Sequence, residues 1–260
     1  MTLAPVIALS HGGGPMPLLG DPNHAAITAS LQKRVPQILA LNSAKPPKAI
    51  VLITAHWTTS TPTVSNSSTH SLLYDYYGFP PEAYELQYPA EGSPSIASEI
   101  DSAFKAEGLL PVLDGKRPWD HGVYIPMLLV NPSASVPIVQ VSVLESEDAE
   151  AHLKMGRALR KLREDNIAIV GSGFASLHSF PLFSKLGGAG AAERKAFKEQ
   201  YGDEWNNALT KAVSEASSDW TAIQNWRKLP YADMFHPPRG GEHFMPLLVC
   251  AGAAVDGEKA

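Results

Sequence analysis

The feature that most constrains this chain is a set of short apolar runs in which β-branched residues follow one another with little alternation. They are VIALS (6–10), AIVLITA (49–55), VPIVQVSV (136–143) and NIAIVGSG (166–173). A strand with one wet face alternates apolar and polar residues, whereas a strand that stays apolar is buried on both faces. The runs therefore predict a sheet covered by helices on each side. Helical patterns fall between them. Residues 23–42 read as a helix with a kink at Pro36, which has no amide to donate. Residues 94–107 start with Pro94 and Ser95, which suit a helix N-terminus. Residues 148–165 carry Leu153, Leu159 and Leu162 on one face and Lys and Arg on the other. A long helical stretch, in one or two pieces, covers about 190–228. This alternation predicts an α/β fold: one domain over 1–260, with a central, mostly parallel or mixed sheet and helices on both faces. The segment 60–90, rich in Ser, Thr, Tyr and Pro, reads as long loops over a site.

Composition narrows the partners. The chain has 21 Lys and Arg against 26 Asp and Glu, a net charge of −5, and no basic block interleaved with aromatics. Nucleic acid is not an expected partner. The longest apolar runs, such as IPMLLV and MPLLVCAGAAV, are too short to span a bilayer, so no membrane is expected. The single cysteine, Cys250, excludes an internal disulfide. Together with an N-terminus that has no basic segment ahead of its apolar run, it points to the cytoplasm.

The histidines are placed with more regularity than their number requires. His11 ends the first strand run, His56 ends the second, and His178 follows the last. His121 and His243 each precede an apolar, helix-like run with a proline, IPMLL and MPLLV, so each ring is expected near a helix N-terminus. Ligands of open α/β sheets bind beyond the carboxyl ends of the strands. Neutral imidazoles that converge there suit zinc, iron, copper or nickel, and two histidines with one further ligand leave positions open for substrate and oxygen. Gly12, Gly13 and Gly14, next to His11, let backbone approach a ligand closely. A single histidine is more often a surface or core residue than a ligand. His24, His70 and His152 are read in that way, His152 on a polar helix face, and His236 is left open between the two readings.

The motifs SHGGGP, TAHW, WDHGVYIP, GSG followed by a histidine, and GEHFMPLL occur in this order from about residue 6 to 252. Together they resemble the class III extradiol ring-cleaving dioxygenases, most closely the DOPA 4,5-dioxygenase-like branch. The resemblance implies a non-haem enzyme with Fe(II) as working metal, with Zn(II) an alternative occupant in the purified protein. It implies His11, His56 and His243 as metal ligands, with Glu242 either a rival third ligand or the residue that orients His243. His178 would be the acid/base residue or a fourth ligand. His121 would line the pocket and hydrogen-bond oxygen or substrate, with Asp120 on its other nitrogen. The chain departs from the pattern at Ser179, where relatives commonly have asparagine after the histidine.

The implied partners are a small catecholic substrate and O2, and the reading leaves room for a homodimer. The stretch 72–89 carries five tyrosines, which either pack a long loop onto the body, the more ordinary role, or cap an aromatic ring at the pocket mouth, with Tyr77 as the candidate substrate contact. Arg239 is a candidate partner for a substrate carboxylate, which a guanidinium matches with two parallel hydrogen bonds. Two other readings compete: a zinc-dependent hydrolase, which the same histidines would serve by activating water, and a binding protein that kept the fold without the reaction.

Overall fold

The computed structural model describes residues 3–214, 220–255 and 258. The chain forms six strands among these residues: β1 (Val6–Ser10), β2 (Ala49–Thr59), β3 (Thr63–Ser65), β4 (Val112–Asp114), β5 (Ile138–Leu144) and β6 (Ile167–Gly173). The four continuous apolar runs are β1, β2, β5 and β6. The two short strands carry no such signal, because three residues are too few for a pattern to show. β3 lies inside the segment read as loops, and its polar residues are buried because they pair with β5. Ser142 Oγ accepts from the Thr63 amide at 3.0 Å, and Ser65 Oγ accepts from the Gln140 amide at 2.9 Å.

The strand order is β1-β6-β2-β5-β3-β4. Every pairing is parallel except β3 with β5, so the sheet is mixed but mostly parallel. Its central strands divide their side chains between two cores. Val51 and Ile53 of β2, Val139 and Val141 of β5 and Ile169 of β6 face one core. Ile50 and Leu52 of β2, Ile138 of β5 and Val170 of β6 face the other. Both faces are buried, as the lack of alternation requires.

The helices that cover these faces are α1 (Ala25–Ala29), α2 (Val35–Ile38), α3 (Pro94–Ala106), α4 (His121–Val130), α5 (Ala149–Leu159), α6 (Phe180–Gly187), α7 (Ala191–Phe197), α8 (Asp203–Ser214), α9 (Thr221–Gln224), α10 (Ala232–Phe235) and α11 (Met245–Ala253). A π turn over Ser30–Arg34 joins α1 to α2 and takes up the break expected at Pro36. The start of α3 is capped by Ser93, one residue before the prolyl start, through its side-chain oxygen and the Ile96 amide. The stretch expected at 190–228 is α7, a π turn over Lys198–Gly202, α8, α9 and a 3₁₀ turn over Trp226–Lys228, while residues 215–219 of it lie outside the described residues.

One histidine reading is corrected. His152 is fully buried rather than on a polar face. It shares the inner side of α5 with Met155 and Leu159, spaced three and seven residues on. Its Nε2 accepts the Leu144 amide at 2.9 Å, and Nδ1 donates to the Asp148 carbonyl at 2.6 Å, tying the end of β5 to the start of α5. Among the described residues, no helix is long and apolar enough to cross a membrane.

Candidate metal centre

The parallel run β1-β6-β2 brings three strand ends side by side. His11 follows β1 directly and its amide donates to the Gly173 carbonyl at the end of β6, 3.2 Å away. His56 lies where β2 departs from regular pairing: between Ile53 and Thr58, five residues of β2 pass while β5 advances two, from Val141 to Val143. A bulge of this kind bends the strand and re-aims its side chains. His243 enters from the loop ahead of α11. Its carbonyl accepts the Phe174 amide at 3.0 Å. Only glycine at 173 permits that approach, since a Cβ there would sit 2.4 Å from the same carbonyl oxygen.

The three rings converge. His56 Nε2 lies 3.2 Å from His11 Nε2 and 3.2 Å from His243 Nε2. One ligand atom from each of the three falls within 4.8 Å of the other two. The opposite nitrogens are held from behind. His11 Nδ1 is 3.0 Å from Ser172 Oγ, and His243 Nδ1 is 2.8 Å from Glu242 Oε1. His56 Nδ1 is 3.7 Å from Asp75 Oδ2. Protons on the Nδ1 atoms leave the Nε2 lone pairs facing one another, an arrangement that a cation satisfies. A metal at the usual 2.0–2.1 Å from two imidazole nitrogens, with an angle between octahedral and tetrahedral, separates them by about 2.8–3.4 Å, which brackets the observed spacing. All three rings are held neutral. Burial, then the neighbouring imidazoles, puts His11 and His243 well below the usual histidine range. Burial, with His121 adding to it, lowers His56 to about 3. The donor set thus fits a divalent transition metal.

Two more histidines border this trio. The His178 ring stacks on His243, with centroids 3.4 Å apart and 14° between planes, and its Nδ1 is 3.2 Å from Glu242 Oε1. Burial lowers His178 to about 4. It groups with Glu242 and His243 but not with His11 and His56, and Glu242 stands on the Nδ1 side of His243, away from the converging nitrogens. His121 is the first residue of α4, and its ring centroid is 3.8 Å from that of His56.

Two expectations are corrected, for Asp120 and for the proline of α4. Asp120 does not hold His121: its carboxylate turns inward, is fully buried, and accepts from Thr54 Oγ1 (2.7 Å), Gln140 Nε2 (2.7 Å) and Arg117 (3.0 Å). The residue on His121 is Asp75, whose Oδ1 accepts from the ring Nδ1 at 2.8 Å and from the His121 amide at 3.0 Å. Burial pushes the Asp75 carboxyl up, but the hydrogen bonds from His121 outweigh it and hold it below its ordinary value. Tyr77 is 89% exposed, whereas its neighbour Tyr76 is buried, with its ring 5.8 Å from His121. The proline expected in the first turn of α4 is in its interior, at Pro126. In α11 the expectation holds, with Pro246 in the first turn. Arg239 is exposed, in a left-handed conformation beside Gly240.

The sequence reading missed Asp75 and Ser172. Both stand inside stretches it singled out, the tyrosine-rich segment and the GSG strand. The end of the long helical stretch, at Trp226 and Arg227, acts as structural support. Trp226 stacks on Phe244 at 4.1 Å, and Arg227 bonds Glu147 at 2.7 Å, whose other oxygen accepts the Gly241 amide at 2.8 Å. These contacts brace the loop that carries Glu242 and His243.

Known proteins resemble this chain in sequence and in architecture. The family model for the catalytic LigB subunit of aromatic ring-opening dioxygenase matches residues 5–260. Dioxygenase tasH of Hapsidospora irregularis is 58% identical over 263 residues, covering 100% of this chain and 81% of that protein. The 4,5-DOPA dioxygenase extradiol of Beta vulgaris is 36% identical over 219 residues, covering 83% of this chain and 76% of its own length. A crystal structure of an uncharacterized Escherichia coli K12 protein superposes with a TM-score of 0.69 at 26% identity, covering 90% of this chain and 84% of that one. The match to a ring-opening oxygenase along nearly the whole chain sets aside the hydrolase and the non-catalytic readings, and the chain belongs to the LigB family as an extradiol aromatic ring-opening dioxygenase.

Proposed function

We propose that this enzyme opens the ring of a DOPA-like catechol with O2, and that His11, His56 and His243 hold a single Fe(II) at its centre. The observation that carries the reading is the triangle of Nε2 atoms, two of its sides 3.2 Å, with a hydrogen-bond partner on the far nitrogen of His11 and of His243 and the Asp75 carboxylate 3.7 Å from that of His56. When bound, Fe(II) supplies open positions that align the catechol with O2 and a redox centre between them. Everything else falls to the protein.

His178 is the acid/base residue. It is neutral, partly open to solvent, and braced by Glu242, so it can take a catechol hydroxyl proton and return it as the ring opens. His121 is the second polar wall. Asp75 holds its Nδ1, which leaves Nε2 as the nitrogen free to bond an oxygen of the substrate or O2. Tyr76 packs against His121 and Phe180 and Phe183 flank His178, with ring centroids at 5.3 and 5.9 Å, so aromatic side chains border the polar centre on two sides. Both atoms of O2 enter the product. One ring carbon–carbon bond next to the diol breaks, and the fragments end as a carboxylic acid and an aldehyde or ketone on one open chain.

The test is anaerobic reconstitution with Fe(II), followed by oxygen uptake with DOPA, caffeate and protocatechuate. One O2 consumed per catechol, with a yellow product, is the expected result. No uptake by the Fe(II)-loaded enzyme with any catechol, or full metal content and activity in His56→Ala, would sink the assignment.

A further inference from the structure

Helix α4 contains a proline that its own hydrogen bonding does not want, and that proline lies one hydrogen-bond chain away from His11. In a regular helix the amide of residue 126 would donate to the carbonyl of Gly122. Pro126 has no amide, so the carbonyl four residues back is left without its helical donor. A different donor reaches that carbonyl: the hydroxyl of Ser172, from the end of β6. The same Ser172 Oγ is 3.0 Å from His11 Nδ1. A hydroxyl has one hydrogen. With it directed at Gly122, only lone pairs remain toward His11, so the His11 proton must be on Nδ1 and the lone pair on Nε2.

We propose that Pro126 is a positioning residue: by withholding an amide from Gly122 it commits Ser172 as donor there and so fixes the tautomer of His11. The proposal rests on His11 being a metal ligand. Every group in the chain is buried, so water does not compete for the Ser172 hydrogen. Gly122 itself is constrained at the same point. A Cβ on it would lie 2.7 Å from Thr54 Oγ1 and 3.0 Å from His56 Cδ2. The first turn of α4 is therefore pressed onto β2 and the end of β6, with its carbonyl delivered to Ser172. Pro126→Ala gives Gly122 its helical amide back. The carbonyl accepts from that amide, Ser172 is released, and its hydrogen turns toward His11 Nδ1, which favours the tautomer with the proton on Nε2.

Zn(II) binding by the full-length chain, measured by competition with a chromophoric chelator, and nitrogen-15 histidine spectra of the metal-free chain test this together. Pro126→Ala is expected to weaken Zn(II) binding roughly tenfold or more, to raise the Nε2-protonated fraction of His11, and to leave the metal-free melting temperature unchanged or higher. A purely structural proline would give only the last of these. Ser172→Ala is expected to weaken binding by a similar factor. Ser172→Thr keeps a hydroxyl and should recover part of it, and the Pro126→Ala/Ser172→Ala double variant should bind no worse than Ser172→Ala alone. Should Pro126→Ala fail to fold, the two Ser172 variants decide. Zn(II) affinity within twofold of native in Pro126→Ala, with the His11 tautomer unchanged, overturns the proposal, as does native affinity in Ser172→Ala. His11→Ala separates this from the ligand assignment. If it keeps native affinity, the assignment itself fails. If it loses the metal while Pro126→Ala and Ser172→Ala do not, only the tautomer relay fails.

Discussion

At the scale of single residues, the site is a set of imidazoles whose inward nitrogens are free because their outward nitrogens are engaged. Asp75 serves two of them, His121 directly and His56 at longer range. Asp75→Asn keeps the shape and an oxygen for the His121 ring and amide, but it removes the charge and replaces the acceptor facing His56 Nδ1 with an NH2 donor. Turnover is expected to fall roughly 10- to 100-fold, with a smaller loss of metal affinity, checked by steady-state kinetics beside metal titration. Phe180 plays a different part. It is 75% exposed although strongly apolar, and it contacts His178. If it stacks on the substrate, Phe180→Ala should raise KM about 3- to 10-fold, the value of one aromatic contact, while metal content and melting temperature stay native. An unchanged KM across several catechols would remove Phe180 from the binding site. Tyr77 shows why loop residues are hard to read: Tyr76 and Tyr77 are adjacent and chemically alike, and only the path of the loop turns one inward and the other to solvent.

At the scale of elements, the bulge in β2 and the first turn of α4 place His56 and His121 against each other. Gly122 is the contact between them, and Gly122→Ala inserts a methyl where Thr54, Asp120 and the His56 ring already stand. Overpacking of this kind costs about 1–3 kcal/mol. Here it should also displace His56, so chemical denaturation and metal titration are expected to report losses together. The helices between α6 and α10 act at a distance. Trp226 is fully buried, stacked on Phe244 and covered by the Arg227 guanidinium at 4.0 Å. Trp226→Ala is expected to cost about 3–5 kcal/mol of stability and to loosen the loop of Glu242 and His243. A stability loss under about 1 kcal/mol in urea denaturation would show that this segment is not the brace described.

At the scale of the whole molecule, buried neutral histidines make the fold sensitive to acid. His152 and His236 lie outside the trio, and burial lowers each to about 4. In the unfolded chain they titrate near 6.5. Above that value both states are neutral and the two residues contribute no pH dependence. As pH falls from about 6.5 toward 4, the unfolded chain takes up protons that the folded chain refuses, and stability declines by up to about 1.4 kcal/mol per pH unit for each group. Thermal melts of the metal-free protein between pH 7 and pH 4 should show this fall, and His152→Gln should lower the slope by about one proton. A flat profile over that window would mean that these rings are charged or accessible in the fold.

The chain's own order determined the layered architecture, because an unbroken apolar strand has no stable place except between two cores. It also determined that histidines stand just after β1 and at the start of α4, since the end of an apolar run is visible as a change of residue type, whereas His56, expected to end the second strand, lies within β2 at its bulge because the strand continues to Thr59. The partners of those histidines were decided only in three dimensions. Asp75 is 46 residues from His121, and Ser172 is 161 residues from His11. Asp120, adjacent to His121 in sequence, turns away because Thr54, Gln140 and Arg117 offer its carboxylate three donors inside the core. Sequence neighbours share a backbone, not a direction. Which carboxylate or hydroxyl meets a ring is set by how the parallel strands stack their ends and by which loop returns over them, and no local pattern of residues encodes that.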